Sequence, residues 1–559
     1  MSKAKGHNGP SRREFLKGAG AAGAGLAVSL GGGGLTTPTA RAAQSPSHLR
    51  SARGHSCGGA PVSSAEFGRI FPSLAPFAEP TDTVRAALLE VGRQGGIMDA
   101  GDHLDAGAKA LIVDPAVNGN PSSTNPYGTN PDNPTMTAGS TFIGQFTDHD
   151  ITFDQTSQLG VPQNPLISPN TRTPALDLDS VFGGGPGKRP DLYVSNADGS
   201  VGPKLKIGTG GVHEDVPRVA NGDGTYSALL GDPRNDENLL IAGLHCAHIL
   251  FYNRVVDELP NLSLRAFPSA RDADLDNTYV AFLVAREITL WHYHWLLVNE
   301  HLPQIVGQAM VDDVLRRGNR FYRPPERDAF MPIEFGAAAY RFGHSMVRPS
   351  YRANLRGDNG APFFGMVFDR AGDGQTDPID LRGGVRAARR FIGWQTFFDF
   401  GDGQVKPNKR IDTKISTPLF DLPLGAIASH DTPQALPQRN LLRHLTWSLP
   451  SGQSIATAMR ITPIGKHELG ELKPYRFDKS TPLWYYVLKE AELIEDGLQL
   501  GPVGGRIVAE VLVGLLQSDT VSYLVQKPKW TPTLTSAGSS FRMKDFLTFA
   551  GVDPASRGQ

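Results

Sequence analysis

The stretch from Asn238 to Leu259 constrains the fold most, because its apolar residues recur at helical spacing over several turns. The stripe consists of Leu240, Leu244, Ala247, Phe251 and Val255. Asp272–Glu300 continues the pattern with aromatic residues, whereas alternating strand patterns are few and short. Further helices are predicted over 333–347, 380–399, 440–447, 482–497 and 504–517. We therefore expect a mainly α protein, a single large helical domain with long loops and very little β-structure.

Composition narrows the classes of function. The chain has 559 residues, enough for a large core, and an apolar content of 39% that excludes wholesale disorder. With 55 basic and 56 acidic residues, it offers no electrostatic case for nucleic acid or an anionic membrane. The 63 glycines and 43 prolines predict long loops, chiefly over 114–140 and 154–235.

The N-terminus predicts export. Ser11–Lys17 contains a twin arginine, a Gly/Ala-rich run extends to about Leu30, and Ala40–Ala42 offers a small-residue cleavage site. We predict a twin-arginine signal peptide over 1–42, recognised by the twin-arginine export machinery. That route carries folded proteins, often with a cofactor, so we expect a secreted or periplasmic protein.

The predicted organisation continues with a surface leader over 43–80 and one domain over 81–555. No other run reaches the ~18 apolar residues of a membrane span, so no transmembrane anchor is expected. Cys57 and Cys246 have no metal-binding or haem-attachment spacing, and an unpaired, buried Cys246 is expected.

Residues 144–150 carry the clearest chemical signal. Gln145 and His149 are four residues apart, so on a helix they project toward the same point. A neutral imidazole beside an amide suits proton transfer on a small ligand such as peroxide. Asp148 and Asp150 flank the histidine and remain free for a cofactor or a hard cation. The alternative is a solvated helix start with an ordinary histidine.

Three further segments contain residues suited to catalysis or ligand binding. Each of them also has an ordinary structural interpretation. Asp232–Asn238 places Arg234 and Glu237 three residues apart, which by itself also describes a surface ion pair. Tyr340–Met346 places His344 in an apolar segment, where a core histidine is the alternative. A third segment, 436–443, offers an amide and a guanidinium one turn apart, Asn440 and Arg443.

Taken together and in this order, the four motifs resemble the animal-type haem peroxidases of the peroxidase–cyclooxygenase superfamily, over roughly residues 80 to 550. The resemblance implies a mostly helical fold with haem b between helices. His149 would then be the distal histidine, with Gln145 beside it, and Arg234 would stabilise negative charge as the peroxide bond breaks. His344 would be the iron ligand, and Asn440 would accept its N–H.

The same resemblance assigns the remaining polar residues. Asp148 and Glu237 match carboxylates that form ester bonds to haem in this family, and Arg341 and Arg443 match partners of the haem propionates. It also implies a Ca²⁺ site that would fix the distal helix. Its ligands would be side-chain oxygens and one carbonyl, from Asp150, Thr173, Ala175 (the carbonyl), Asp177 and Asp179.

The function implied is a secreted haem peroxidase that reduces H₂O₂ through a ferryl intermediate and oxidises a halide or a small organic donor. One alternative is a fatty-acid dioxygenase of the same superfamily, whose radical tyrosine lies three residues before the proximal histidine. Here Arg341 holds that position and Tyr340 lies one residue earlier, so we expect Tyr340 to point elsewhere. The other alternative is a non-catalytic matrix or adhesion relative.

Overall fold

Sixteen α-helices and twelve short strands, joined by 3₁₀ turns and loops, lie in the part of the chain that the computed structural model describes, residues 67–113, 129–325, 329–427 and 429–559. The signal peptide, Cys57 and the first part of the leader lie outside those residues. The helices are α1 Asp82–Val91, α2 Gly107–Val113, α3 Ala138–Ile151, α4 Asp179–Phe182, α5 Leu239–Glu258, α6 Thr278–Leu296, α7 Leu302–Val306, α8 Gln308–Arg317, α9 Ile333–Gly336, α10 Gly343–Met346, α11 Leu436–Thr446, α12 Gly452–Ala458, α13 Leu483–Glu495, α14 Pro502–Ser518, α15 Tyr523–Gln526 and α16 Met543–Ala550.

The strands form only two-stranded sheets, as the prediction of a mainly α fold requires. Five pairs are antiparallel, β2–β12, β3–β4, β5–β6, β7–β8 and β10–β11, and β1–β9 is parallel. The strand bounds are β1 Phe67–Gly68, β2 Asp132–Thr137, β3 Tyr193–Ser195, β4 Val201–Leu205, β5 Gly208–Gly210, β6 His213–Asp215, β7 Arg218–Ala220, β8 Tyr226–Ala228, β9 Met331–Pro332, β10 Ser350–Asp358, β11 Ala361–Met366 and β12 Pro407–Lys409.

Helix α5 lies at the centre of the core, where it packs against α3, α6 and α16. The Asn238 side chain caps it by accepting hydrogen bonds from the amides of Leu240 and Ile241. Among the described residues, only Leu239–Asn261 is a helix long and apolar enough to cross a membrane. Of its most apolar 18 residues, 72% are buried in the protein. Its Cys246 is buried and free, as predicted.

Two predicted elements are wrong. Residues 380–399 contain no α-helix, because Gly383 passes so close to the carbonyl of Asp236 that no side chain fits there, and Gly384 has a positive φ of 97°. The Arg390 guanidinium then binds the carbonyls of Pro378 and Asp380 within this irregular segment. In addition, 333–347 is divided into α9, a 3₁₀ turn at Ala339–Phe342 and α10.

The leader prediction also fails for residues 67–80. Phe67, Phe71 and Phe77 are buried in the main core, and β1 pairs with β9. The Ser/Ala/Pro/Gly-rich composition of 43–80 concealed these three aromatic anchors, which are too few and too irregularly spaced to show a periodic pattern.

Candidate functional site

A cavity of about 430 Å³ lies between α3 on one side and the segment 339–346 on the other. It collects side chains from all four sequence motifs, although these are far apart along the chain. Its walls include these predicted site residues: Gln145, Asp148, His149, Arg234, Glu237, Arg341, His344 and Arg443.

Helix α3 forms one wall because its two faces differ in chemistry. Phe142, Phe146 and Ile151 are buried in the core, and they fix the helix in place. Gln145 and His149, one turn apart, both line the cavity, as their spacing predicted.

His149 is 4% exposed, and two groups of the Arg234 segment lie near its ring. The His149 Nδ1 lies 2.9 Å from Oδ1 of Asn235, and its Nε2 lies 3.9 Å from Oε2 of Glu237. Burial, reinforced by the Arg234 charge, lowers the pKa of His149 to about 3. The imidazole is therefore neutral at physiological pH and can accept a proton.

Glu237 is tied to α3 through an amide. Gln145 Nε2 donates to Glu237 Oε2 at 3.3 Å, and Asn238 Nδ2 donates to Gln145 Oε1 at 3.3 Å. Burial raises the pKa of Glu237 to about 8, and burial also raises the pKa of Asp148. Both cavity acids are thus shifted toward their neutral forms.

Arg234 is held rigidly between a carboxylate and α3. Its Nε and Nη2 donate to the buried Asp232 at 3.1 and 2.8 Å, and Nη2 also donates to the carbonyls of His149 and Thr152. Its guanidinium lies 4.1 Å from the Phe153 ring centre. Nη1 has no hydrogen-bond partner among the described residues, so this nitrogen is free to bind a ligand in the cavity.

His344 forms the opposite wall and is backed by α11. The Asn440 amide nitrogen lies 2.7 Å from His344 Nδ1, and Asn440 Oδ1 is buried without a partner. Rotating the amide by 180° would satisfy this oxygen and let Nδ1–H donate to it, which leaves the Nε2 lone pair for a ligand. A Cβ added to Gly343 would meet no atom within 4 Å, so this wall is open beside His344.

Positive charge gathers at one edge of the cavity. Arg341 donates to the carbonyl of Gly336, and Arg443 lies 3.8 Å from Asp154 with its Nε unpaired. Burial, followed by repulsion from Arg341, lowers the pKa of Arg443 to about 9. The Asp148 and Asp154 carboxylates partly compensate these two charges, and a guanidinium can bind a carboxylate of a ligand.

The predicted calcium ligands come close together but do not converge. Asp150 is fully buried and accepts hydrogen bonds from Leu178 N and Ser180 Oγ, while burial and Asp177 raise its pKa. Asp177 and Asp179, however, face Arg286 at 3.6 Å and Arg172 at 3.3 Å. Within the described ranges, no three His, Cys, Asp or Glu side chains are arranged to hold a metal ion.

Tyr340 corrects the sequence-based expectation, because it lines the cavity instead of pointing away. It lies in a 3₁₀ turn that leads into α10, so the rotation of about 100° per residue of an α-helix, on which the expectation depended, does not apply there. Its hydroxyl lies 3.3 Å from Nε2 of the buried His301, a cavity residue that no sequence motif indicated.

Comparison with known proteins shows what the chain is similar to. The model of the animal haem peroxidase family matches residues 158–363, which include Arg234, Glu237 and His344. This segment of the chain is therefore similar to the animal haem peroxidases. His149 and Asn440 lie outside the matched segment. A twin-arginine translocation signal matches residues 9–29, so the protein is exported by that route to the periplasm or beyond.

Curated relatives match over part of their length. Peroxidase mlt-7 of Caenorhabditis elegans is 32% identical over 186 residues, 31% of this chain and 23% of that protein. The probable oxidoreductase PXDNL of Homo sapiens is 30% identical over 172 residues, 29% of this chain and 11% of that protein. The matches therefore span less than a quarter of these relatives.

Solved structures support the fold over most of the chain. Peroxidase A of Dictyostelium discoideum superposes with a TM-score of 0.55 at 14% identity, covering 87% of this chain and 94% of that one. A fatty acid alpha-dioxygenase of Arabidopsis thaliana gives 0.50 at 14% identity, covering 88% and 76%. At this identity the likeness concerns the fold alone.

Proposed function

We propose that this protein is a haem-dependent peroxidase that uses H₂O₂ to oxidise a halide or a small organic donor. The observation that carries the proposal is the single cavity in which a neutral His149 and a clamped Arg234 on one side face His344 on the other.

The residues present fit haem b. His344 would hold the iron, the open space beside Gly343 would admit the flat macrocycle, and Arg341 and Arg443 would bind its propionates. Asp148 and Glu237 also line the cavity, and both are shifted toward neutrality; there they would flank the haem edge and form the ester bonds that the resemblance implies. Bound haem supplies an iron that accepts oxygen from peroxide and stores the two oxidising equivalents.

The protein side chains would then handle the peroxide. His149 Nε2 would accept the proton of the oxygen next to the iron and return it to the departing oxygen. Arg234 Nη1 would stabilise the negative charge that develops as the O–O bond breaks, without the cost of reorganising its other bonds. Gln145 would hold the peroxide or water in line with His149.

We propose in addition that Asp150, Thr173, Asp177, Asp179 and the Ala175 carbonyl bind Ca²⁺. A cation would relieve the repulsion among three neighbouring carboxylates and would draw Asp177 and Asp179 away from their arginines. Metal analysis of the purified protein before and after chelation tests this site, and a calcium-free protein with unchanged thermal stability would exclude it.

His149→Ala tests the peroxidase reaction. We expect a Soret band like that of the wild type, but peroxide-driven donor oxidation slower by about 10²- to 10⁴-fold, because a positioned acid–base group contributes that much. His292→Ala is the matched control, since His292 is buried outside the cavity and its Nδ1 bonds the Ile288 carbonyl. A wild type without a Soret band would favour the non-catalytic class, and undiminished activity of His149→Ala would exclude the acid–base role.

One observation favours a second candidate, a fatty-acid dioxygenase. Tyr340 lies in the cavity with its hydroxyl next to His301, where a tyrosine could take part in oxidation. Tyr340→Phe distinguishes the two functions. If dye oxidation by peroxide persists in this variant and neither protein oxygenates a fatty acid, the dioxygenase is excluded.

A further inference from the structure

Asn235 links two buried histidines directly behind the distal side of the cavity. Its Oδ1 lies 2.9 Å from His149 Nδ1, and its Nδ2 lies 3.0 Å from His245 Nδ1. All three side chains are at least nine-tenths buried, so water does not replace these contacts. Neither Asn235 nor His245 lines the cavity, and neither has a role in the function proposed above.

The donor and acceptor chemistry of the amide fixes the protons on both rings. An amide oxygen can only accept, so the His149 Nδ1 must carry a hydrogen. An amide nitrogen can only donate, so the His245 Nδ1 must be bare and its proton must lie on Nε2. In the neutral ring with its proton on Nδ1, the lone pair lies on Nε2, and this nitrogen faces Glu237 Oε2 at 3.9 Å in the cavity.

The opposite amide orientation would have the opposite consequence. Nδ2 would donate to His149, and the His149 proton would move to Nε2, where the ring could no longer accept a proton from a ligand. The tautomers of the two histidines are thus coupled through the amide, because the observed orientation requires a bare Nδ1 on His245 and the opposite one would require a proton there.

We propose that Asn235, oriented by His245, is the positioning residue that keeps His149 in the Nδ1–H tautomer required of a distal base. The inference rests on the proposed function, because it gives His149 the role of proton acceptor. It adds to that function Asn235 and His245, which touch neither substrate nor cofactor and act through His149.

Cyanide binding to the ferric protein reports this tautomer without turnover. Hydrogen cyanide binds iron as the anion, so its proton must pass to a distal base, whereas carbon monoxide binds the ferrous protein without proton transfer. For Asn235→Ala we expect cyanide association slower by about tenfold to a hundredfold, with carbon monoxide association within about twofold of the wild type. Both rates are read from the Soret shift after rapid mixing.

Two further variants make the test specific. Asn235→Asp keeps an oxygen for Nδ1–H and should restore cyanide association to at least the wild-type rate. Asn354→Ala, the matched control, removes a buried amide that binds the carbonyls of Arg389 and Phe391, outside the cavity. It should lower thermal stability and leave cyanide association unchanged.

Cyanide association in Asn235→Ala within twofold of the wild-type rate would overturn the inference. So would carbon monoxide association slowed in this variant as much as cyanide association. Where Asn235→Ala does not fold, cyanide association tenfold slower in Asn235→Asp than in the wild type would overturn it. The outcome is separate from that of the proposed function. If cyanide binds the wild type faster than Asn235→Ala but the wild type oxidises no donor, the proposed peroxidase function is wrong and the positioning role stands. If the wild type is active and Asn235→Ala binds cyanide equally fast, only the positioning role is wrong.

Discussion

Gly343 shows how a single missing side chain defines the site. It precedes His344 in the cavity wall, and a Cβ there would meet nothing within 4 Å, so glycine is not required for packing against the protein. Its φ of −55° is also accessible to any residue. A small residue at this position leaves space beside His344, which the proposed haem would occupy.

Gly343→Val should reduce haem binding without affecting the fold. The added isopropyl group would project into the space of the macrocycle, and overpacking of about 1–3 kcal/mol corresponds to about 5- to 150-fold in affinity. We expect a lower ratio of Soret to protein absorbance and unchanged far-ultraviolet circular dichroism. Gly470→Val is the control, because Gly470 is exposed and also has open space around it. Equal haem content in both variants would contradict the prediction.

At the scale of elements, helix termini and helix faces organise the charges. Helix α3 presents Gln145, Asp148 and His149 to the cavity, while Asp150 points to the loop before α4. The start of helix α14 is stabilised by an acid from another helix. The amides of Val503 and Gly504, in the first turn of α14, donate hydrogen bonds to the buried Glu490 of α13.

Glu490 should make stability depend on pH. Burial raises its folded-state pKa to about 7, above the value of 4.5 for an exposed glutamate. The folded protein thus binds this proton more tightly than the unfolded chain does. The resulting contribution of Glu490 to the free energy of unfolding is fully present below about pH 4.5 and is lost as pH rises toward 7. Glu490→Gln, which cannot ionise, should reduce the fall in unfolding free energy between pH 5 and pH 8, by at most about 3 kcal/mol.

Urea unfolding of both proteins at the two pH values measures this difference. Other buried acids, including Asp412 and Glu300, have a pKa raised to about 7 and contribute equally to both proteins. The exposed Glu79→Gln serves as control and should leave the pH dependence of the wild type unchanged. A Glu490→Gln variant with the full wild-type dependence would rule out the assignment.

At the scale of the whole molecule, residues 67–80 close the structure around the site. Phe67 lines the cavity and lies 5.2 Å from Trp447, ring centre to ring centre. Arg69 donates to the carbonyls of Trp447 and Ser448, and Glu334 accepts from the amides of Ile70 and Phe71. This segment thus joins α11, which supports His344, to α9.

A chain that begins at residue 81 should be less stable than one that begins at residue 67. The shorter chain loses three buried aromatic side chains and leaves the Glu334 carboxylate buried without its two backbone donors, each change costing about 1–5 kcal/mol. Thermal unfolding and haem content of the two proteins measure the effect. Identical melting temperatures would show that the segment is dispensable.

The sequence by itself determined the local chemistry of this protein. Helical spacing predicted α5, α11, α13 and α14, and the motif order predicted the family and the residues now found around one cavity. Such features are local, because they depend on periodicity and on side chains a few positions apart. The twin-arginine signal is of the same kind.

The tertiary structure alone decided which distant residues meet. Asn235 and His149 are separated by 86 positions, and His301 and Tyr340 by 39, so no local pattern could pair them. Gly383 prevents a helix only because the Asp236 carbonyl passes beside it, and 67–80 is structural only because Phe67, Phe71 and Phe77 find the core. These outcomes depend on close packing between segments remote in sequence, where burial also lowers the pKa of His149 and raises that of Asp148 and Glu237.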